Sequence, residues 1–215
     1  MERTRVLLFS EDEAGLEHLI RFLASQSGLS VTVILEKKEA FQAVKNGDVD
    51  VIVLVCCLAP PLYTGLDTAA EMLENGGGKI IMLAAMEERE AILNALTIGV
   101  LNVLHRSSYG DLPTAIREAH LDRSSIHPDA AMILRQELIR LRRKEWTDLL
   151  THSEKELLRL LSHGNNRKEI AAKLNITLDT VKVHIQHILK KVGAKTSIEA
   201  LKMAKWQHFF DDHEG

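Results

Sequence analysis

The chain has 215 residues, of which 46% are hydrophobic and 27% charged, and a formal net charge of −3; this is enough apolar material for one or two folded cores. No stretch approaches the ~20 uninterrupted apolar residues of a membrane helix, and Val6–Phe9, set between Arg5 and Glu11, does not resemble a signal peptide, so a cytoplasmic protein is expected. The two cysteines, Cys56 and Cys57, are adjacent and supply neither a disulfide framework nor a spaced zinc set; free thiols, no metal and no cofactor are the expectation.

Through the first ~120 residues short apolar runs alternate with helical periodicity, the pattern of βαβ units around a parallel sheet. Strands are predicted near 5–9, 30–35, 50–56, 79–84 and 101–104, with crossover helices near 13–26, 37–46, 66–75, 87–98 and 110–122. The run Val51-Ile52-Val53-Leu54-Val55-Cys56-Cys57 is continuous rather than alternating, as a central parallel strand covered on both faces requires. Gly76-Gly77-Gly78 is expected to be a plain turn. Beyond residue 122 the strand signals stop. Pro128 suits the first turn of a linker helix over about 129–147, whose basic stretch Arg140-Leu141-Arg142-Arg143-Lys144 is either a solvated spacer or a contact with a partner or with phosphates.

Four short helices are predicted after it, near 153–163, 167–174, 178–192 and 197–210. Three begin with a small polar residue and a carboxylate three positions on, Ser153 with Glu156, Asn166 with Glu169 and Thr196 with Glu199, a spacing that satisfies free backbone N–H groups; the helix at 178–192 starts after Thr177. Cutting the chain near residue 148 exposes a charge asymmetry: residues 1–148 hold 16 Lys/Arg against 22 Asp/Glu, whereas residues 149–215 hold 11 against 8. The two parts have different jobs, although so small a basic excess does not by itself establish nucleic-acid binding.

Projected at ~100° per residue, the helix at 178–192 gathers Val181, Ile185, Ile188, Leu189 and Val192 on one arc, which is core. Asp179, Lys182, Val183, Gln186 and Lys190 fall on another, with His187 at its edge. Two helices joined by Leu174-Asn175-Ile176-Thr177, the second with such a face, match the helix-turn-helix layout. A lysine can donate to guanine, a glutamine can bond adenine bidentately and a valine can touch a thymine methyl.

The segment from Leu149 to Ala204 resembles the LuxR-type helix-turn-helix domain of NarL/FixJ-type response regulators, with Glu156, Gly164, Lys168-Glu169-Ile170-Ala171, Leu174, Ile176, Thr180-Val181-Lys182, His184 and Lys191 at the family's spacing. The resemblance implies a DNA-binding set of Thr180, Lys182, Val183, Gln186, Lys190 and Lys191, in which Lys182, Val183 and Gln186 meet base edges and Lys190 and Lys191 meet phosphates. It also implies dimerisation through the last helix by Ile198, Leu201 and Ala204.

The five βα units resemble the response-regulator receiver, a flavodoxin-like fold whose pocket at the strand ends implies an acidic pair, a phosphoaccepting Asp, a Thr/Ser and a Lys. Here the corresponding positions hold Ser10 and Glu11, with Asp12 just beyond; Cys56, or Val55 in a register shifted by one; Ala84; and Arg106. Loss of acceptor, hydroxyl and half the acid pair implies an atypical receiver that is not activated by phosphorylation. Cys56 is either a buried small hydrophobe or, facing Arg106, a redox-sensitive thiol.

The expected fold is thus α/β plus all-α: an atypical receiver over 1–122, a helical linker over 123–148 and a LuxR-type helix-turn-helix domain over 149–215. The expected function is transcriptional regulation by a homodimer on double-stranded DNA, with the receiver's input coming from a protein partner, a small ligand or Cys56. No glycine-rich phosphate loop or nucleophile elbow favours an enzyme.

Overall fold

In a computed structural model, residues 3–10, 16–57, 64–85, 89–123 and 125–211 are described, apart from the side chain of Cys57. The chain divides into two compact units, Met1–Leu134 and Arg135–Gly215.

In the first unit β1 (Thr4–Ser10), β2 (Leu29–Ile34), β3 (Val51–Cys57), β4 (Ile80–Ala85) and β5 (Asn102–His105) form a parallel sheet in the order β2-β1-β3-β4-β5. Helices α1 (Leu16–Ala24), α2 (Lys37–Lys45), α3 (Thr64–Glu74), α4 (Arg89–Ile98) and α5 (Leu112–His120) connect and flank the strands. β3 is paired on both edges, by β1 and by β4, and apolar residues occupy both of its faces. Ile52 and Leu54 join one cluster with residues of α2, α3 and α4, while Val51, Val53 and Val55 join the other with residues of α1 and α5. The unbroken apolar run is therefore the consequence of two covered faces.

Two local expectations change. The predicted helix over 110–122 forms as a 3₁₀ turn, Arg106–Asp111, followed by α5, because Pro113 favours a fresh helix start at its own first turn. Gly77 is not part of a plain turn. It is buried, its N–H donates to the Met72 carbonyl at 2.8 Å, and a Cβ there would lie 2.8 Å from that oxygen and 2.9 Å from Ile52 Cδ1. Gly77→Ala is therefore expected to destabilise the first unit by roughly 1–3 kcal/mol. Gly78→Ala meets nothing within 4 Å and should leave stability unchanged or slightly raised; urea titrations followed by far-ultraviolet circular dichroism compare the two.

Helix α6 (Pro128–Leu149) begins in the first unit, where Ala130 is buried and Ile133 packs against the same cluster, and ends in the second, where Trp146 is core. The second unit continues with α7 (His152–Ser162), α8 (Arg167–Lys173), α9 (Leu178–Val192) and α10 (Ser197–Trp206). The cap of α7 corrects the expectation of Ser153 with Glu156: Thr151 and Glu154 form the capping box, two residues earlier, and Ser153 lies inside the helix. Asn166 with Glu169 forms the expected box. At α10 the Thr196 hydroxyl accepts from Glu199 N–H, while the Glu199 carboxylate takes the Lys195 N–H at 2.7 Å.

Candidate nucleic-acid interface and receiver strand ends

Helix α9 owes its placement to its caps and its apolar stripe. The Thr177 hydroxyl accepts from Thr180 N–H, and Gly193 ends the helix at φ 73°, a left-handed conformation that glycine adopts without strain. Val181, Ile185, Ile188 and Val192 are buried against α7, α8 and α10, and Leu189 is half-buried. This leaves Asp179, Lys182, Val183, Gln186, His187 and Lys190 exposed. The preceding turn places Asn175 at φ 52°, which a short polar side chain tolerates.

Within the predicted DNA-binding set the side chains differ. Val183, Gln186 and Lys190 project from the exposed face. Lys182 Nζ donates to Asp179 Oδ1 at 2.8 Å, and this holds the Asp179 carboxyl below its ordinary value. Such an exposed pair is weak and yields readily to a stronger acceptor. Thr180 shares a hydroxyl hydrogen bond of 2.8 Å with Thr177, so it belongs to the cap.

Lys191, predicted to meet phosphates, has its Nζ donating at 2.6 Å to Glu154 Oε2 within its own unit. The Glu154 side chain is 3% exposed and that of Lys191 35%. Burial pushes the Glu154 carboxyl up, but the hydrogen bonds from Lys191 and from Thr151, together with the Lys191 charge, hold it below the ordinary carboxylate range. Glu154 was missed although Thr151-x-x-Glu154 has capping-box spacing; its partner, 37 residues away, has no local signal.

The predicted dimerisation residues also separate. Ile198 is 69% exposed and Leu201 half-buried, whereas Ala204 is fully buried in the core of its own unit, one turn from Ala200. Trp206, at 72% exposed, is a second large apolar side chain of α10 that faces solvent.

At the strand ends of the first unit, Ser10 is buried opposite Val55, Cys56 pairs with Ala84, and Ala84 pairs with His105, the residue before Arg106. Glu11 and Asp12 lie outside the described residues. The proposed facing of the Cys56 thiol by Arg106 is corrected: Arg106 Nη2 donates to the Cys56 carbonyl oxygen at 3.4 Å, and the Cys56 side chain packs with the cluster under α2, α3 and α4. Strand alternation puts Val55 and Leu83 on the opposite side, where they line a pocket with Arg106.

The start of α6 is stapled to this end of the sheet. His127 N–H donates to Asn102 Oδ1 at 2.8 Å, and His105 N–H donates to Asp129 Oδ2 at 2.9 Å. His127 Nδ1 lies 3.2 Å from Asp129 N and 3.0 Å from Asp129 Oδ2, and its Nε2 lies 3.1 Å from Asp111 Oδ2. Burial pushes the Asp129 carboxyl up, but the His105 N–H, the Ser108 hydroxyl and the neighbouring imidazoles hold it below its ordinary value.

A five-stranded parallel receiver-type unit followed by a helix-turn-helix unit is the architecture of a response regulator. Residues 148–204 match the family model of bacterial regulatory proteins, luxR family, so the second unit is a LuxR-type domain and the chain is a homologue of response regulators of that type. It is 28% identical to the nitrate/nitrite response regulator protein NarL of Escherichia coli (strain K12) over 217 residues, covering 94% of each chain. It is 31% identical to the response regulator protein VraR of Staphylococcus aureus (strain NCTC 8325) over 131 residues, covering 60% of this chain and 61% of that one. Among solved structures, the Salmonella typhimurium RcsB response regulator shares the fold with a TM-score of 0.53 at 16% identity, over 96% of this chain and all of that one. RcsB in a structure of two dimers bound to two parallel DNAs gives a TM-score of 0.51 at 18% identity, over 95% of this chain and 98% of that one. No described helix is long and apolar enough to cross a membrane.

Proposed function

We propose that this protein is a sequence-specific transcriptional regulator that binds double-stranded DNA as a homodimer in the cytoplasm, without catalysing a reaction, and whose receiver works without aspartyl phosphorylation. The carrying observation is the exposed face of α9, where Lys182, Val183, Gln186 and Lys190 line one side of a helix whose other side is core. Lys182, Val183 and Gln186 reach base edges, and Lys190 reaches a phosphate. The RcsB dimers on DNA have the same fold, which supports this reading. Ile198 and Leu201 on α10 are the proposed contact between copies. The linker comprises residues 123–148.

Selection of bound sites from random DNA tests the whole: a palindromic consensus, with binding that weakens steeply as salt rises, is expected. Recovery of no consensus, or salt-independent binding, rules the reading out. Phosphorylation independence rests on Cys56, Ala84 and Arg106 occupying the acceptor, hydroxyl and lysine positions. Incubation with acetyl phosphate is expected neither to label the chain nor to change its DNA affinity; a stable acyl phosphate would overturn that part. The redox reading of Cys56 is not favoured, since the Arg106 contact is to its carbonyl.

A further inference from the structure

We propose that the first unit binds a small organic acid, an apolar body carrying one carboxylate, between α1 and the 3₁₀ turn Arg106–Asp111, and that this turn relays occupancy to the start of α6. The pocket has a volume of about 250 Å³, below the roughly 300–1,000 Å³ of sites for drug-sized ligands, so its occupant is small. Its apolar walls are Leu16 and Leu19 from α1 and Val55 and Leu83 from the ends of β3 and β4. The polar groups are few: the Arg106 guanidinium, with His18 and Tyr109 beside it.

Among the described lining residues there is one permanent positive charge and no carboxylate. A bare phosphate would lie against leucines. A carboxylate on a hydrocarbon body matches both halves of the pocket. Arg106 spends one long donor contact, of 3.4 Å, on the Cys56 carbonyl, and a guanidinium carries five N–H donors in a planar fork suited to a carboxylate. The Tyr109 hydroxyl is held 3.0 Å from His18 Nε2, and its ring is fixed edge-on between His18 and Phe22, with centroids 5.6 and 5.2 Å away. Cys56 and Ala84 pack on the other side of the sheet and take no part in the pocket.

The relay follows from connectivity. The turn contributes Arg106 and Tyr109 to the pocket and ends at Asp111, which accepts from His127. His105, one residue before it, donates to Asp129 in the first turn of α6. A ligand that draws Arg106 inward pulls on a six-residue turn whose last residue, Asp111, and whose preceding residue, His105, are both bonded to the start of α6.

The reading of this unit as a non-phosphorylated input domain bears only on what the ligand is for. The test therefore uses the full chain without DNA or phosphodonor, so that failure of the site and failure of DNA recognition are separately visible. Calorimetric titration with benzoate and with hexanoate is expected to show saturable one-to-one binding of at least one, with benzyl alcohol much weaker. Arg106→Gln, an exposed substitution that leaves the core intact, is expected to weaken binding roughly ten- to a hundredfold, and Tyr109→Phe roughly two- to tenfold. Hydrogen exchange of the amides of His105, His127 and Asp129 should slow or quicken on saturation. If neither acid binds at millimolar concentration, or if Arg106→Gln binds equally well, the site is refuted; binding with unchanged exchange at those amides refutes the relay.

Discussion

Lys191→Met is expected to destabilise the second unit by about 3 kcal/mol, the lower end of what removing one partner of a buried ion pair costs. The reason is the asymmetry of the pair. Glu154 is 3% exposed, so losing its counter-charge strands a carboxylate away from water, relieved only by the capping bonds from Thr151. The reverse change leaves Lys191, already 35% exposed, free to turn outward. Glu154→Gln, which keeps a cap acceptor, should therefore cost less, about 1–2 kcal/mol. The double substitution should be milder than Lys191→Met alone. Both tryptophans, Trp146 and Trp206, lie in the second unit, and Trp146 is buried, so urea unfolding followed by tryptophan fluorescence isolates the effect. Equal losses for the two single variants would refute the asymmetry.

The same pair sets an acid limit. A carboxyl held below its ordinary value stabilises the fold in full above its unfolded pKa, about 4.3 for glutamate, and loses that contribution as pH falls toward the folded value. The second unit should therefore weaken below about pH 4.5. In Glu154→Gln the midpoint should depend less on pH across that range.

Gln186→Ala is expected to cost about 1–3 kcal/mol of discrimination at one or two operator positions while affinity for unrelated DNA stays nearly the same, because a side chain on the central exposed arc of α9 reads bases. Lys190→Ala should behave oppositely, weakening all sequences alike and reducing the salt slope by about 1. Lys182 starts in an ion pair with Asp179, so Asp179→Asn is expected to strengthen DNA binding slightly by releasing the ammonium and removing a negative charge from the face. Titration of matched and single-mismatch duplexes at two salt concentrations separates these effects. A uniform loss for Gln186→Ala would make it a backbone contact instead.

The legible parts of the structure were those written in local period and spacing. Alternation of apolar runs with helical periodicity located all five strands to within a residue or so, since strands buried on both faces must be continuous in Val, Ile and Leu. The exposed arc of α9 followed from 3.6-residue periodicity, and Asn166 with Glu169 from cap chemistry that spans a single turn.

Contacts between distant segments decided the rest. Lys191 and Glu154, Gly77 and Ile52, and Arg106 and the Cys56 carbonyl are far apart along the chain, and no periodicity encodes their meeting. Ala204 falls on the apolar side of α10, but only the packing of α10 on its neighbours determines whether that side faces the unit's own core or a second copy. By itself the sequence determined the strands, most of the helices and the exposed face of α9, because each depends on residues a few positions apart. Which lysine pairs with the buried Glu154, which side of the sheet the cysteine joins and where a ligand-sized space opens were decided by the tertiary structure, because those properties depend on which surfaces exclude water together.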